Sequence, residues 1–376
     1  MKKVLFICDS GAFGGAEKYI MYSLRCCRKF GYKVDVLTAP SAFSDLLKQM
    51  PKDVDVDCIY EKSFNNILTI HRVLNDIVGD YALVVAYRWK AIVIAAEACK
   101  KKRVPLLSAV TSVFEPGTRY DNQNNPNIDA KLPHIISENS KRIIAVSEAV
   151  KLSLITHGVD ESKIAVVYGC SEDYFSAQEK TLSKDLNTMT ITYSGRLSPE
   201  KGPDLLIQAV HYLVKNHPGM KRKICVQIMG DGPMKTELND MIHHYNLESI
   251  VQLLGFVDEP KTYIKNATIH ALPSRQDAHP LSGIEAVSLC KPLVGFDVGG
   301  MHELIVDKKN GYLIPDGDVF SFSEKIYFLL NKPELCKEYG YNSRQIWENN
   351  FSFDTFSKHF IRQIRETMGD GLYEHG

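Results

Sequence analysis

The sequence predicts an α/β protein built from two doubly wound parallel-sheet domains joined by a polar linker. Three observations predict it. Short apolar runs alternate with helical patterns along most of the 376 residues, as in a parallel sheet covered on both faces. That alternation begins twice, near residue 4 and again near residue 190. Between the two series lies Ser171–Asn187, SEDYFSAQEKTLSKDLN, which is polar and has no strong apolar period. A chain of this length exceeds one ordinary core, so two domains are the natural expectation.

The first domain, residues 1–170, opens on Val4–Cys8. This apolar run is too short for an export signal and reads as a buried first strand. The loop DSGAFGGAEK follows, then a helix over Ala16–Lys29 and a strand at Val34–Thr38. Further strands are expected at Val56–Tyr60, Leu83–Tyr87, Leu106–Val110, Arg142–Val146 and Ala165–Tyr168. Helices such as Ile67–Val78 and Ala91–Lys101 fill the gaps. Thr111–Pro133 is polar and rich in Asn and Pro, and reads as a long loop, either functional or a variable surface loop.

Residues 171–187 are expected to be the hinge and residues 188–350 the second domain. Its strands fall at Thr190–Ser194, Ile224–Met229, Ile250–Leu254, Ile269–Leu272 and Leu293–Phe296. Helices are expected at Pro203–Asn216, Pro233–His244, Leu281–Leu289 and Phe320–Leu330, followed by Glu334–Glu348 and Phe353–Met368. A disordered tail is expected from Gly369. The two halves form two Rossmann-like domains facing across a cleft, the default binding site.

Composition excludes several classes. Lys+Arg and Asp+Glu balance at 45 each, which argues against a nucleic-acid partner held by bulk charge. No apolar run is long enough to span a bilayer. Nine cysteines show no CxxC pair, so reduced thiols in the cytoplasm are expected rather than a disulfide framework or a metal site.

The chemistry concentrates at strand-to-helix turns of the second half. After Ile269–Leu272 comes PSRQDAHPLSGIEAV, with Asp277 in the loop and Glu285 eight residues on, in the helix. The start of that helix presents free backbone N–H groups, which favour an anion. One helix end contributes only about 0.3–1 kcal/mol when exposed, so a tightly held anion needs basic side chains too. Arg196 and Lys201 supply them from one loop, GRLSPEKG at 195–202. A guanidinium recognises phosphate oxygens by paired donors and an ammonium acts as a compact charge. Alone, the two cations would read as solvated loop charges; the glycine punctuation and the later carboxylate spacing favour a phosphate site. Gly230-Asp231-Gly232-Pro233 is turn chemistry first. Gly255-Phe256-Val257 ends a strand where backbone groups can flank a base. Gly11, Gly14 and Gly15 follow strand one, but match neither GxGxxG nor a Walker loop.

With these pieces in view the chain resembles the retaining GT4-family glycosyltransferases of the GT-B fold. The matching segments are GGAEK at 14–18, VSEAV at 146–150, GRLSPEKG at 195–202, GDGP at 230–233, LGFV at 254–257, the acidic pair 277 and 285, and GGMHE at 299–303. They follow the family's order over nearly the whole chain. The resemblance implies that the N-terminal domain is acceptor-side and that residues 188–350 bind a nucleotide sugar. It also implies that residues 351–376 carry a helix packing back toward the N-terminal domain. Arg196, Lys201 and Asp277 would be catalytic. Gly14, Gly15, Gly195, Val257, His279, Leu281, Ser282 and Glu285 would join them in donor binding, with Glu285 on the ribose hydroxyls. Asp277 stands where the family's E-x7-E motif has its first glutamate, one methylene longer, and Ala278 replaces a usual glycine. Thr111 and Ser112 stand where many relatives carry a histidine.

The expected function is therefore transfer of a sugar, with retention, from a UDP- or GDP-sugar to a glycan or lipid-linked glycan in cell-surface polysaccharide biosynthesis. No cofactor or metal is expected, because the two cations would stabilise the departing diphosphate. The run Lys100–Arg103 suggests peripheral contact with anionic lipid at the inner face of the cytoplasmic membrane, or equally a solvated helix end. The alternatives are a catalytically inactive sugar-binding or scaffold protein of the same fold, or another GT-B enzyme such as a nucleotide-sugar epimerase. An NAD enzyme is disfavoured because neither half carries the dinucleotide fingerprint.

Overall fold

The computed structural model describes residues 1–9, 14–41, 47, 56–62, 67–114, 131–175 and 188–370. Most of the long loop expected at 111–133, most of the hinge expected at 171–187, Gly11 and the last six residues lie outside them. The chain divides into two compact units: Met1–Gly169 with Phe353–Gly376, and Cys170–Ser352.

Among the described residues of the first unit seven parallel strands run β1 (Lys3–Cys8), β2 (Lys33–Thr38), β3 (Cys58–Glu61), β4 (Leu83–Tyr87), β5 (Leu106–Val110), β6 (Arg142–Ala145) and β7 (Ile164–Val166). Their order in the sheet is β3-β2-β1-β4-β5-β6-β7, so the winding reverses between β1 and β4. Helices α1 (Gly15–Lys29), α2 (Ile67–Ile77), α3 (Trp89–Lys102), α4 (Leu132–Asn139) and α5 (Glu148–Thr156) make the crossovers. Strands β1, β4 and β5 are almost wholly buried, as their unbroken apolar runs require. The strand expected at Val56–Tyr60 is shorter and starts later, at Cys58, because Asp57 leaves the ladder. Its N–H bonds Val34 O and its carboxylate takes the Val34 N–H and Arg28.

Among its described residues the second unit has six parallel strands: β8 (Met189–Ser194), β9 (Ile224–Met229), β10 (Val251–Gly255), β11 (Ile269–Leu272), β12 (Leu293–Phe296) and β13 (Gly311–Ile314). Their order is β10-β9-β8-β11-β12-β13, with the reversal between β8 and β11. Helices α6 (Pro203–Asn216), α7 (Lys235–His244), α8 (Pro260–Asn266), α9 (Leu281–Ser288), α10 (Met301–Leu304), α11 (Val319–Leu330) and α12 (Pro333–Asn350) cover it. Ile191, Val226, Ile228, Ala271, Val294 and Phe296 pack with Leu206, Val210, Phe322 and Ile326 in one core. Sequence periodicity did not mark α8 or β13. The first is polar, and the second is four residues long and opens on a glycine.

The last helix, α13 (Phe353–Met368), belongs to the first unit. Its apolar positions 356, 360 and 364 fall on one face at helical spacing and are buried. Phe356 meets Tyr19 of α1 edge-on at 5.3 Å. Arg142 of β6 binds Gln363 and Glu366 at 3.1 and 2.9 Å. Burial of each large apolar side chain contributes about 1.5–3 kcal/mol, enough to fix where this helix packs.

Candidate functional site

The C-terminal ends of β8 and β11 flank the point where the second sheet reverses its winding, which is where open α/β sheets form a ligand crevice. Each strand hands over to a loop, residues 195–202 after β8 and 273–280 after β11. The two loops are stitched together. Arg275 sends Nη1 and Nη2 to the two carboxylate oxygens of Asp204 at 2.8 and 2.5 Å, and Nη1 also to Pro199 O at 2.8 Å. The Arg275 and Gln276 N–H groups both bond Glu200 O, at 2.9 and 3.2 Å. Gly202 lies at φ +62 with its Cα turned onto Pro273; a Cβ there would come 2.0 Å from Pro273 O. Only glycine combines that backbone angle with that approach.

This stitching delivers Lys201 to Asp277. The ammonium donates to Asp277 Oδ2 at 2.6 Å, with the lysine one-third exposed and the aspartate 8% exposed. Asp277 also accepts from Ser274 Oγ at 3.3 Å and from the His279 N–H at 3.2 Å. Its own carbonyl takes the Gly300 N–H at 3.0 Å. Gly299 (φ +51) fits beneath that carbonyl, where a Cβ would stand 2.0 Å from Asp277 O. A third loop, after β12, therefore fixes the Asp277 backbone. Next to it α9 begins. Its first internal bond is Ile284 N–H to Pro280 O, so the N–H groups of Leu281, Ser282 and Gly283 precede the helical ladder. Glu285, on the same helix, is 5% exposed.

Under these loops Tyr193 donates to Arg196 O at 2.9 Å. Burial, reinforced by the carboxylates of Asp277, Glu200 and Asp204, pushes its phenol well up. It therefore remains a donor that holds the loop. The Arg196 side chain is exposed and makes no ion pair among the described residues.

Of the residues expected at the site, the structure places Gly195, Arg196, Lys201, Asp277, His279, Leu281, Ser282 and Glu285 beyond the C-terminal ends of two neighbouring central strands of one sheet, β8 and β11. Val257 follows β10 at the far side of β9, half-buried. Gly14 and Gly15 belong to the other unit, where Gly14 caps α1 and Gly15 opens it. Two findings depart from the sequence reading. Lys201 and Asp277, expected to serve different parts of a donor, are paired with each other. The His279 N–H, expected to face a ligand, is taken by Asp277. Arg275, Asp204 and Ser274 were missed: their partners lie across the fold or within the loop, and residue type alone gave no signal.

This arrangement can hold an anion between cations and a helix start while a carboxylate stands beside it to accept hydroxyl protons. The family model for glycosyl transferases group 1 matches residues 175–346, and that for Glycosyltransferase Family 4 matches residues 13–170. A poly(ribitol-phosphate) alpha-N-acetylglucosaminyltransferase of Staphylococcus aureus is 27% identical over 230 residues, 60% of this chain and 45% of that protein. An Escherichia coli UDP-Gal:alpha-D-GlcNAc-diphosphoundecaprenol alpha-1,3-galactosyltransferase is 29% identical over 179 residues, 46% of this chain and 44% of that protein. The matches thus span less than half the length of either relative. The crystal structure of Anabaena HepE in complex with UDP-glucose superposes with a TM-score of 0.83 at 22% identity, over 97% of this chain and all of that one. With two glycosyltransferase family models over residues 13–170 and 175–346, and two doubly wound parallel sheets, the chain belongs to the GT-B glycosyltransferases.

Proposed function

We propose that this protein transfers a hexose, with retention, from a UDP- or GDP-sugar to a glycan or lipid-linked glycan in cell-surface polysaccharide assembly. The observation that carries the proposal is the meeting of Lys201, Asp277 and the α9 start at the reversal point of the second sheet. Arg196 and Lys201 take the diphosphate, and the α9 N–H groups add donors to it. Asp277 accepts from hydroxyls of the donor sugar, and Glu285 from the ribose. As the bond from the sugar's anomeric carbon to the diphosphate oxygen breaks, its electron pair stays on the diphosphate. The cations stabilise that growing charge, so no metal is required. The acceptor oxygen attacks the vacated face and its proton passes to the leaving phosphate. UDP-glucose in HepE and the names of the relatives support a nucleotide-sugar donor and a glycan acceptor.

No described helix is long and apolar enough to cross a membrane. We place the protein at the inner face of the cytoplasmic membrane. Lys100, Arg103 and Lys141 line a 430 Å³ pocket at the end of α3, a basic surface suited to anionic headgroups. Pelleting with phosphatidylglycerol vesicles tests that contact, and failure to pellet at low salt removes it.

The function is tested by a donor panel. UDP-, GDP- and ADP-sugars are screened for thermal stabilisation and for slow nucleotide release without acceptor. One donor is expected to stabilise the wild type and to lose that effect in Lys201→Ala and Glu285→Ala. Silence across the panel from folded protein would favour a binding or scaffold role.

A further inference from the structure

Open α/β sheets build their ligand crevices at the carboxyl ends of the strands. The 430 Å³ pocket at the end of α3 lies at the opposite edge of the first sheet, where β5 and its neighbour β6 begin. All of its lining belongs to the first unit. Lys100 and Arg103 come from the end of α3, and Lys141 from the turn between α4 and β6. Val104, Leu106 and Met368 add apolar surface. Arg103 turns the chain out of α3 in the left-handed region, at φ 57 and ψ 33. Glycine makes that turn without steric cost and is the usual residue there. An arginine keeps a guanidinium on the pocket at a cost in backbone energy, and such departures cluster at functional positions.

Charge decides between a solvated pair of helix ends and a binding site. Helices α3 and α4 both end here, and each end carries roughly half a negative charge, so together they offset about one cation. Glu138, the one acid of the lining, lies 3.2 Å from His134 Nε2. Set against a second cation, it still leaves the pocket net positive. Asp370, two residues past Met368, is taken by Lys2 at 2.6 Å. Lys100, Arg103 and Lys141 are exposed and make no ion pair among the described residues. Cations converging beside apolar surface fit an anion with an apolar body. A phosphomonoester carries about −1.5 to −2 charge at pH 7 and offers three acceptor oxygens, whereas a phosphodiester or a sulfate ester carries a single charge.

We propose that Lys100, Arg103 and Lys141 form a site for a phosphomonoester bearing an apolar group, supplied either by a soluble ester or by the headgroup of a lipid phosphate. The site needs neither donor chemistry nor a bilayer, so it stands apart from both readings above. The probe is monomeric octyl phosphate, titrated calorimetrically into the whole chain near neutral pH, with octyl sulfate as the singly charged match. Octyl phosphate is expected to bind about tenfold or more tightly than octyl sulfate. Arg103→Gly suits the observed turn and Lys141→Gln changes an exposed side chain, so both are expected to fold, which melting curves check. Each should weaken binding about tenfold. Lys101→Gln removes a cation of the same run that does not line the pocket, and should leave binding unchanged. Failure of octyl phosphate to bind, equal affinity for the sulfate, or the same response in all three variants overturns the site. A second arm identifies the source by pelleting with phosphatidic acid vesicles and with phosphatidylglycerol vesicles of matched charge. Preference for phosphatidic acid, lost in Arg103→Gly and Lys141→Gln, makes a lipid phosphate the ligand; octyl phosphate binding without that preference makes it a soluble ester. Failure to pellet with either vesicle removes the membrane placement and leaves the site standing.

Discussion

Gly202→Ala tests whether the stitched loops are what makes the site. The substitution adds one methyl at φ +62, with its Cβ 2.0 Å from Pro273 O. Two effects add. An L residue in the left-handed region costs about 1–2 kcal/mol. The methyl must also retreat by more than ~1 Å before carbon and oxygen reach an ordinary separation of about 3.3 Å, and overpacking of this kind costs about 1–3 kcal/mol. The sum, roughly 2–5 kcal/mol, lowers the melting temperature of a unit this size by ~4–20 °C. The retreat also parts loop 195–202 from loop 273–280, and a 1 Å misplacement of reacting groups can cost about 10²-fold in rate. Gly317→Ala is the control. Gly317 has φ +74 but nothing within 4 Å of its added Cβ, so it carries the backbone cost without the wedge and should keep full transfer. Melting curves and initial transfer rates with the donor found in the panel measure both effects. The reasoning is refuted if Gly202→Ala transfers within about twofold of wild type while folded, or if Gly317→Ala loses as much activity.

Lys201→Met removes the ammonium but keeps most of the aliphatic stem. Isothermal titration should show donor affinity falling by roughly 10- to 150-fold, the equivalent of one charge-assisted bond, and unchanged affinity would exclude Lys201 from the phosphate site. Glu285→Gln should bind UDP and 2′-deoxy-UDP alike, whereas the wild type should prefer UDP; loss of no preference would move the ribose contact elsewhere. His270, fully buried in β11, shares Nδ1 with Thr192 Oγ1 at 3.0 Å, and burial lowers its pKa to about 3. The unfolded chain takes up the proton near pH 6.5 and the folded chain does not. Stability is therefore complete above pH 6.5 and is lost as pH falls towards 3, by at most ~1.4 kcal/mol per unit. Urea unfolding at pH 7 and pH 5 should show a drop of up to ~2 kcal/mol in wild type that His270→Leu lacks, and parallel drops would refute it.

How much of this was legible depended on the range of the interaction concerned. Buried parallel strands announce themselves through unbroken apolar runs, so β1, β4, β5, β9, β11 and β12 fell close to their expected positions. The strand-to-helix turns were marked by glycines and by the Asp277–Glu285 spacing, which are local features. Strand β13 was illegible because it is four residues long and its first residue completes Asn310-Gly311, a turn signal. That glycine is instead a packing requirement, since a Cβ would lie 2.0 Å from Leu293 O. The pairs Lys201–Asp277 and Arg275–Asp204 join residues 76 and 71 positions apart, and no local pattern reports such partners. Arg88 is the clearest case. A lone arginine after an apolar run looks like a solvated loop charge, and only its backbone angles and its ion pairs to Asp9 and Glu17 mark it.

The Lys201–Asp277 pair bears on the shorter acid. In the structure the lysine is neutralised, and Asp277 is saturated by Lys201, Ser274 and the His279 N–H. On the proposed mechanism a diphosphate, carrying more charge than one carboxylate, draws Lys201 away from Asp277. The exchange leaves Asp277 short of one donor at the moment the donor sugar arrives, and a sugar hydroxyl supplies it. Lys201 is one-third exposed and has a flexible stem, so it can make the exchange, whereas Asp277 is held from both sides, its side chain by Ser274 and its backbone by Gly299 and Gly300. A glutamate here would carry its carboxylate one methylene further from that fixed backbone, past the reach of Ser274. Aspartate keeps the acid within its own loop, where loss of the lysine leaves it oriented by the two donors that remain.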